Sequence, residues 1–231
     1  MKKSIGIIGG MGPLATCDLM KKVIENTKAD RDQSHIRLYV DNNTNIPDRT
    51  AAILHGGQDP RPALTESATK LRAMGADLLI MPCNTAHYFV EDVRNAVDIP
   101  VLNMQQETAK MLQQQGITTA AVLATDGTVQ SGLYDRALKD VGITPVYPDG
   151  QEQKLVMSLI YDYVKAGKIF TDLKKIHDMV DHLQSQGAQG LILGCTELPI
   201  AFAPWQTAIP TFDPTLILAR AAVQYAGYEV N

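Results

Sequence analysis

Cys83 and Cys195 stand at matching places in two copies of one segment, KLRAMGADLLIMPCNTAH (residues 70–87) and HLQSQGAQGLILGCTELP (residues 182–199). Gly75-Ala76 and Gly187-Ala188 precede the two cysteines by the same distance, and a threonine follows each within two residues (Thr85, Thr196). A thiol with a pKa near ~8.5 is brought toward the thiolate by a helix N-terminus. A thiolate on one face of a carbon acid and a thiol on the other make a base and an acid. One takes a proton, the other returns one to the opposite face, and the centre is inverted. A single buried cysteine at a strand end is as readily an apolar filler; the match in both copies is what points to chemistry. Asn84, Thr85 and Thr196 add amide and hydroxyl donors for a substrate carboxylate, whose charge grows as the α-proton leaves. Cys17 lies on the first helix without a polar partner in sequence, and packing is the role it suggests.

The elements that must position these groups alternate strand and helix, the pattern of an α/β chain with parallel sheets flanked by helices. Strands are expected at 4–8, 36–40, 77–81, 119–123, 145–147 and 190–193, with a short one at 101–102. Helices are expected near 13–26, 63–74, 86–96, 105–115, 132–141, 153–166 and 170–186. Pro13 suits the first position of a helix. Each cysteine then falls between a strand end and a helix start, where unpaired N–H groups and the helix dipole favour a thiolate. The repeat extends further: Ile209-Pro210-Thr211-Phe212-Asp213 echoes Ile99-Pro100-Val101-Leu102-Asn103. From it we expect two pseudo-symmetric domains, 1–100 with 210–231 and 101–209. The site would lie in the cleft between them, outside the carboxyl ends of the strands.

The chain has 231 residues and a formal net charge of −4. Its Lys/Arg groupings are only pairs, so neither nucleic acid nor an anionic membrane surface is an expected partner. No apolar run is long enough to span a bilayer, and the first strand begins without a signal-peptide pattern; a cytoplasmic protein is the expectation. Three cysteines in that setting do not suggest a disulfide framework, and the histidines show no metal-ligand spacing beside them, so no metal is expected. Two rival readings draw on single motifs. Gly10-Met11-Gly12-Pro13-Leu14-Ala15 fits a dinucleotide turn, although Asp41 comes too late for a ribose contact. Cys83 and His87, four apart, could form a hydrolase dyad. Neither explains the second cysteine. A non-catalytic amino-acid binder would use the same residues.

Gly9-Gly10-Met11-Gly12-Pro13, Pro82-Cys83-Asn84-Thr85-Ala86-His87 and Gly194-Cys195-Thr196-Glu197-Leu198-Pro199, together with similarity along the chain, resemble the aspartate/glutamate racemase family, its aspartate racemase-like branch in particular. The resemblance implies a cofactor-independent, two-base isomerase of amino acids, a homodimer, with Cys83 and Cys195 as its catalytic pair. It implies that Asn84, Thr85 and Thr196 bind the substrate carboxylate and that Met11 lines the pocket. Arg49 and Lys165 would hold the side-chain carboxylate of an acidic amino acid, aspartate or glutamate. A guanidinium that binds a carboxylate bidentately and a second cation suit that substrate on physical grounds as well. Lys168 is a neighbouring alternative to Lys165, His87 is read as structural, and Glu197 either tunes Cys195 or holds its turn. The wider superfamily includes racemases of other and of broad specificity, so the fold does not name the substrate.

Overall fold

The computed structural model describes residues 2–231. Two units emerge, Met1–Glu107 with Thr215–Asn231, and Thr108–Pro214. In the first, β1 (Ile5–Gly9) is buried at every position, as the middle strand of a parallel sheet must be. It pairs in parallel with β2 (Leu38–Asn42) on one side and β3 (Leu78–Ile80) on the other, in register Ile5 with Leu38 and with Leu78. Helix α1 (Pro13–Glu25) buries Ala15, Leu19 and Val23 on one face of this sheet, together with Leu218, Ala219 and Ala222 of α11 (Pro214–Tyr225). On the other face α3 (Arg61–Ala73) and α4 (Val90–Ala96) enclose a second cluster that includes Leu64, Leu71, Val93 and Cys83 itself. Between β2 and α3 the chain forms a short helix, α2 (Arg49–Leu54), which Asp48 caps by accepting from the Ala51 N–H at 2.7 Å.

The second unit repeats the order. After α5 (Met104–Gln114), β4 (Thr119–Ala124) pairs with β5 (Thr144–Val146) and β6 (Leu191–Gly194), and β6 with β7 (Thr211–Phe212), all in parallel. The sheet orders are β2-β1-β3 and β5-β4-β6-β7. In the first unit Val101 bridges Leu79 in parallel, where β7 stands in the second. The echoed Ile-Pro segments explain the likeness. Leu79 N–H donates to the Pro100 carbonyl at 2.9 Å, and Leu191 N–H to the Pro210 carbonyl at 2.9 Å. Each proline-led segment is thus the edge of its own unit's sheet, the place a residue without an N–H is tolerated. Short helices α6 (Asp126–Gln130) and α7 (Leu133–Lys139) follow β4, and α8 (Gly150–Ser158) starts in a capping box between Asp149 and Glu152. The amphipathic α9 (Leu173–Ser185) buries Ile176, Met179, Val180 and Leu183, one stripe of a helical period.

The expected α/β architecture with parallel sheets and flanking helices is present, but three local expectations are corrected. The helix expected over 86–96 opens as a 3₁₀ turn, Thr85–Phe89, before α4. The helix expected over 153–166 is α8 followed by a π-helical turn, Leu159–Val164, in which Lys165 N–H reaches back to the Ile160 carbonyl at 3.0 Å. Arg49, where no helix was expected, is the first residue of α2. Among the described residues no helix is long and apolar enough to cross a membrane.

Candidate active site

Both cysteines follow strand ends, Cys83 after β3 and Cys195 directly after β6. Gly194 leads into the second. A Cβ there would lie 3.0 Å from the Leu123 carbonyl oxygen and 3.2 Å from the buried Tyr134 ring, so a larger residue would push the cysteine turn off its neighbours. The glycine turn after β1 is tighter. Gly10 has φ +91° and a Cβ there would stand 2.2 Å from the backbone of Asn43. Its N–H donates to Thr16 Oγ1 at 2.9 Å, which ties the turn to α1. Met11, at the tip, is buried with Ile8, Ile46 and Cys83 in one cluster.

The surroundings of the two sulfurs differ. Cys83 is buried, and the backbone around it is braced by side chains from outside the turn. His87 Nδ1 lies 2.8 Å from the Cys83 carbonyl oxygen. A carbonyl only accepts, so that nitrogen carries the ring proton. Burial pulls the His87 pKa down from 6.5 to about 4, against the opposing pull of the Cys83 carbonyl, and the ring is neutral at pH 7. Neither ring nitrogen is hydrogen-bonded to the Cys83 sulfur, and a ring with so low a pKa is a weak base, which removes the basis for a Cys83–His87 dyad. Gln105, 1% exposed, donates from Nε2 to the Asn84 carbonyl at 3.1 Å and to Asn84 Oδ1 at 3.3 Å. Asn84 and Thr85 are themselves buried.

Cys195 carries its partner within its own turn. Its Sγ donates to Glu197 Oε2 at 2.9 Å, and Thr196 Oγ1 donates to the same oxygen at 3.0 Å. Lys165 Nζ lies 3.9 Å from Glu197 Oε1. The residue is partly exposed, but its side chain packs on the apolar core of the unit. That burial, and then the Glu197 carboxylate, hold the thiol well above its ordinary pKa, with Lys165 opposing. This corrects the expectation that a helix start would favour a thiolate here. The helix that follows, α10 (Leu198–Phe202), begins three residues on, and a carboxylate stands between it and the sulfur. Cys195 rests as a thiol.

The two cations are placed differently from each other. Arg49 Nη1 donates to the Ile46 and Pro47 carbonyls at 3.3 and 3.0 Å, and its buried Nε–H has no partner. The loop therefore holds the guanidinium by one nitrogen and leaves the Nε edge without a protein partner. Lys165 is half-exposed, over the Tyr161 ring at 4.4 Å and beside Glu197. Lys168 borders an apolar pocket of about 250 Å³ with Tyr163, Phe170 and Ile200. Of the two lysines, Lys165 is the one next to the Cys195 turn. Cys17 is exposed on α1, so the packing role expected for it is corrected. The helix turns its apolar stripe, Ala15, Leu19 and Val23, away from that position.

A parallel α/β unit in which a strand leads into a cysteine turn occurs twice in this chain, and the repeat defines its class. The chain belongs to the Asp/Glu/hydantoin racemase family, whose model matches residues 8–222. It is 29% identical to the broad specificity amino-acid racemase RacX of Bacillus subtilis over 97% of this chain and 99% of that protein. Among solved structures it is similar to the aspartate racemase of Picrophilus torridus, with 34% identity, a TM-score of 0.82 and coverage of 99% of this chain and 96% of that one. It is also similar to an aspartate racemase homologue from Pyrococcus horikoshii, with 25% identity, a TM-score of 0.82 and coverage of 97% and 99%.

Sequence reasoning missed Gln105 altogether and left Glu197 undecided. Gln105 follows no motif and lies 21 residues from the Asn84 it holds. Glu197 was within reach of the sequence, since a carboxylate two residues from a cysteine can fold back on it.

Proposed function

We propose that this protein is a two-base amino-acid racemase acting on amino acids with an acidic side chain, aspartate first. The observation that carries the reading is Cys195 donating to the Glu197 carboxylate at 2.9 Å, in one copy of a repeat whose other copy presents Cys83. In one direction Cys83, as thiolate, removes the α-proton, and Cys195, as thiol, delivers its own to the opposite face. The reverse direction exchanges the roles. One proton leaves carbon and one arrives, so the step balances without a cofactor. The carbanion's charge spreads into the substrate carboxylate, which Asn84, Thr85 and the Thr196 backbone N–H receive in this reading. The Thr196 hydroxyl is already engaged with Glu197. The Nε edge of Arg49, and Lys165, receive the side-chain carboxylate, and Met11 closes the pocket. The reading requires both thiols to reach one α-carbon, and it carries a homodimer in the cytoplasm.

A second reading, broad specificity, has its own observation. Lys165 faces Glu197 within the protein, so part of its charge is already answered. The full-length likeness to a broad specificity racemase points the same way. A panel of D- and L-amino acids followed by chiral chromatography separates the two. Aspartate turned over at least tenfold faster than alanine or lysine supports the first reading. In D₂O, deuterium should enter the α-position of product. Cys83→Ala and Cys195→Ala should each abolish interconversion, and racemisation at the wild-type rate by both would sink the two-base reading.

A further inference from the structure

Gln105 has no place in the chemistry above, yet it is 1% exposed and faces the residue next to Cys83. Its amide meets two acceptors at once, the backbone oxygen and the side-chain oxygen of Asn84. Only the NH₂ end can do that, so the orientation of Gln105 follows from chemistry. Its own Oε1 is left buried without a hydrogen-bond partner. A buried acceptor without a partner is unfavourable, and one kept in a native structure calls for an explanation. An asparagine side chain can present either its carbonyl or its NH₂. With Oδ1 turned to Gln105, the carboxamide of Asn84 is fixed with its donor end directed the other way.

We propose that Gln105 is the positioning residue for Asn84, setting that carboxamide to recognise an anion, the substrate carboxylate, rather than an ammonium. The inference rests on the reading of Asn84 as a carboxylate binder. Without Gln105 the carboxamide loses the donor that holds Oδ1, and a misplaced group in such a site costs up to about a hundredfold.

Two variants test it. Gln105→Met keeps the length and removes the donor; Gln105→Glu keeps the shape and puts an acceptor where the donor was. Each should lower kcat/KM at least tenfold, mainly through KM, with Gln105→Glu the worse. In an Asn84→Ala background the same changes should cost less than twofold, because Gln105 then has nothing to orient. An undiminished loss in that background would make Gln105 a general structural residue and overturn the inference, as would a variant with wild-type KM. A second readout does not depend on turnover. The Asn84 side-chain NH₂ signals in a ¹⁵N NMR spectrum, identified by their loss in Asn84→Ala, should shift and exchange faster in Gln105→Met. Unmoved signals overturn the inference. A wild-type protein that racemises no amino acid, but shows that change, sinks the functional reading and leaves the positioning role standing.

Discussion

Lowering the pH from 7 to 4 should unfold this protein partly through one residue, His87. Its ring is 1% exposed and its pKa falls to about 4 by burial, with the nearby Arg94 adding in the same direction. The unfolded chain has an ordinary histidine near ~6.5. A folded pKa below the unfolded one means the unfolded state binds more protons between the two values. Stability from the neutral ring is therefore complete above about pH 6.5 and is lost as the pH falls toward 4. The gap of roughly 2.5 units at 1.36 kcal/mol each corresponds to about 3 kcal/mol, of which about 2 kcal/mol has gone by pH 5. That is a large part of the ~5–15 kcal/mol that holds an ordinary domain.

His87→Asn is the matched control, since its Nδ2 can donate to the Cys83 carbonyl from the same position and does not titrate. Urea unfolding followed by circular dichroism at a series of pH values should show the wild type losing about 3 kcal/mol more than the variant between pH 6.5 and 4. Asp77, whose carboxyl is held low by hydrogen bonds from Ser4, loses its contribution at more acid pH and does so equally in both proteins. Parallel loss in wild type and variant would refute the account of His87 as a buried neutral donor.

Glu197→Gln should bring the Cys195 thiol down, but not to its ordinary value, because burial is the larger cause and Glu197 the second. Iodoacetamide labelling of Cys195 as a function of pH should therefore move to lower pH in the variant, and an unmoved profile would remove Glu197 from control of the sulfur. Arg49→Ala should raise KM for aspartate by about ten- to a hundredfold, the loss of a charge-assisted pair worth about 1.5–3 kcal/mol. Alanine turnover should be left nearly as it was, and equal loss on both substrates would make Arg49 a support for its loop alone.

Much of the fold could be read from local pattern because the pattern is repeated. Continuous apolar runs named β1, β3, β4 and β6, and Pro13 named the start of α1. The echoed Ile-Pro segments marked the repeat, but their place as sheet edges, accepting from Leu79 and Leu191 in the same way, came only with the structure. What local pattern could not show was set by packing over distance. The 3₁₀ turn after Cys83 is buried at Thr85, Ala86, His87 and Phe89, and apolar content of that kind is equally good for an α-helix. The π-helical turn before Lys165 leaves no mark in residue type. Gln105 and Asn84 meet only because α5 starts beside the β3 turn. The direction in which Cys195 is held depended on weighing a helix dipole against burial and a carboxylate. The dipole of a five-residue helix is the weakest of the three.

Aligned on their cysteines, the copies place Thr85 opposite Glu197 and His87 opposite Pro199. One copy has a hydroxyl and an outside brace, the other a carboxylate that holds its sulfur directly. The thiols are therefore not interchangeable, although the reaction proposed for them is symmetric. Mirror-image amino acids have equal free energy in water, so kcat/KM must be the same in both directions whatever the protein does. The asymmetry built around Cys195 can then appear only in kcat and KM separately. The enantiomer whose carbanion Cys195 protonates finds that proton already in place. The other must find the proton moved from Cys195 first, against the burial and the Glu197 carboxylate that hold it there. Under the two-base reading it should pair a higher KM with a proportionally higher kcat.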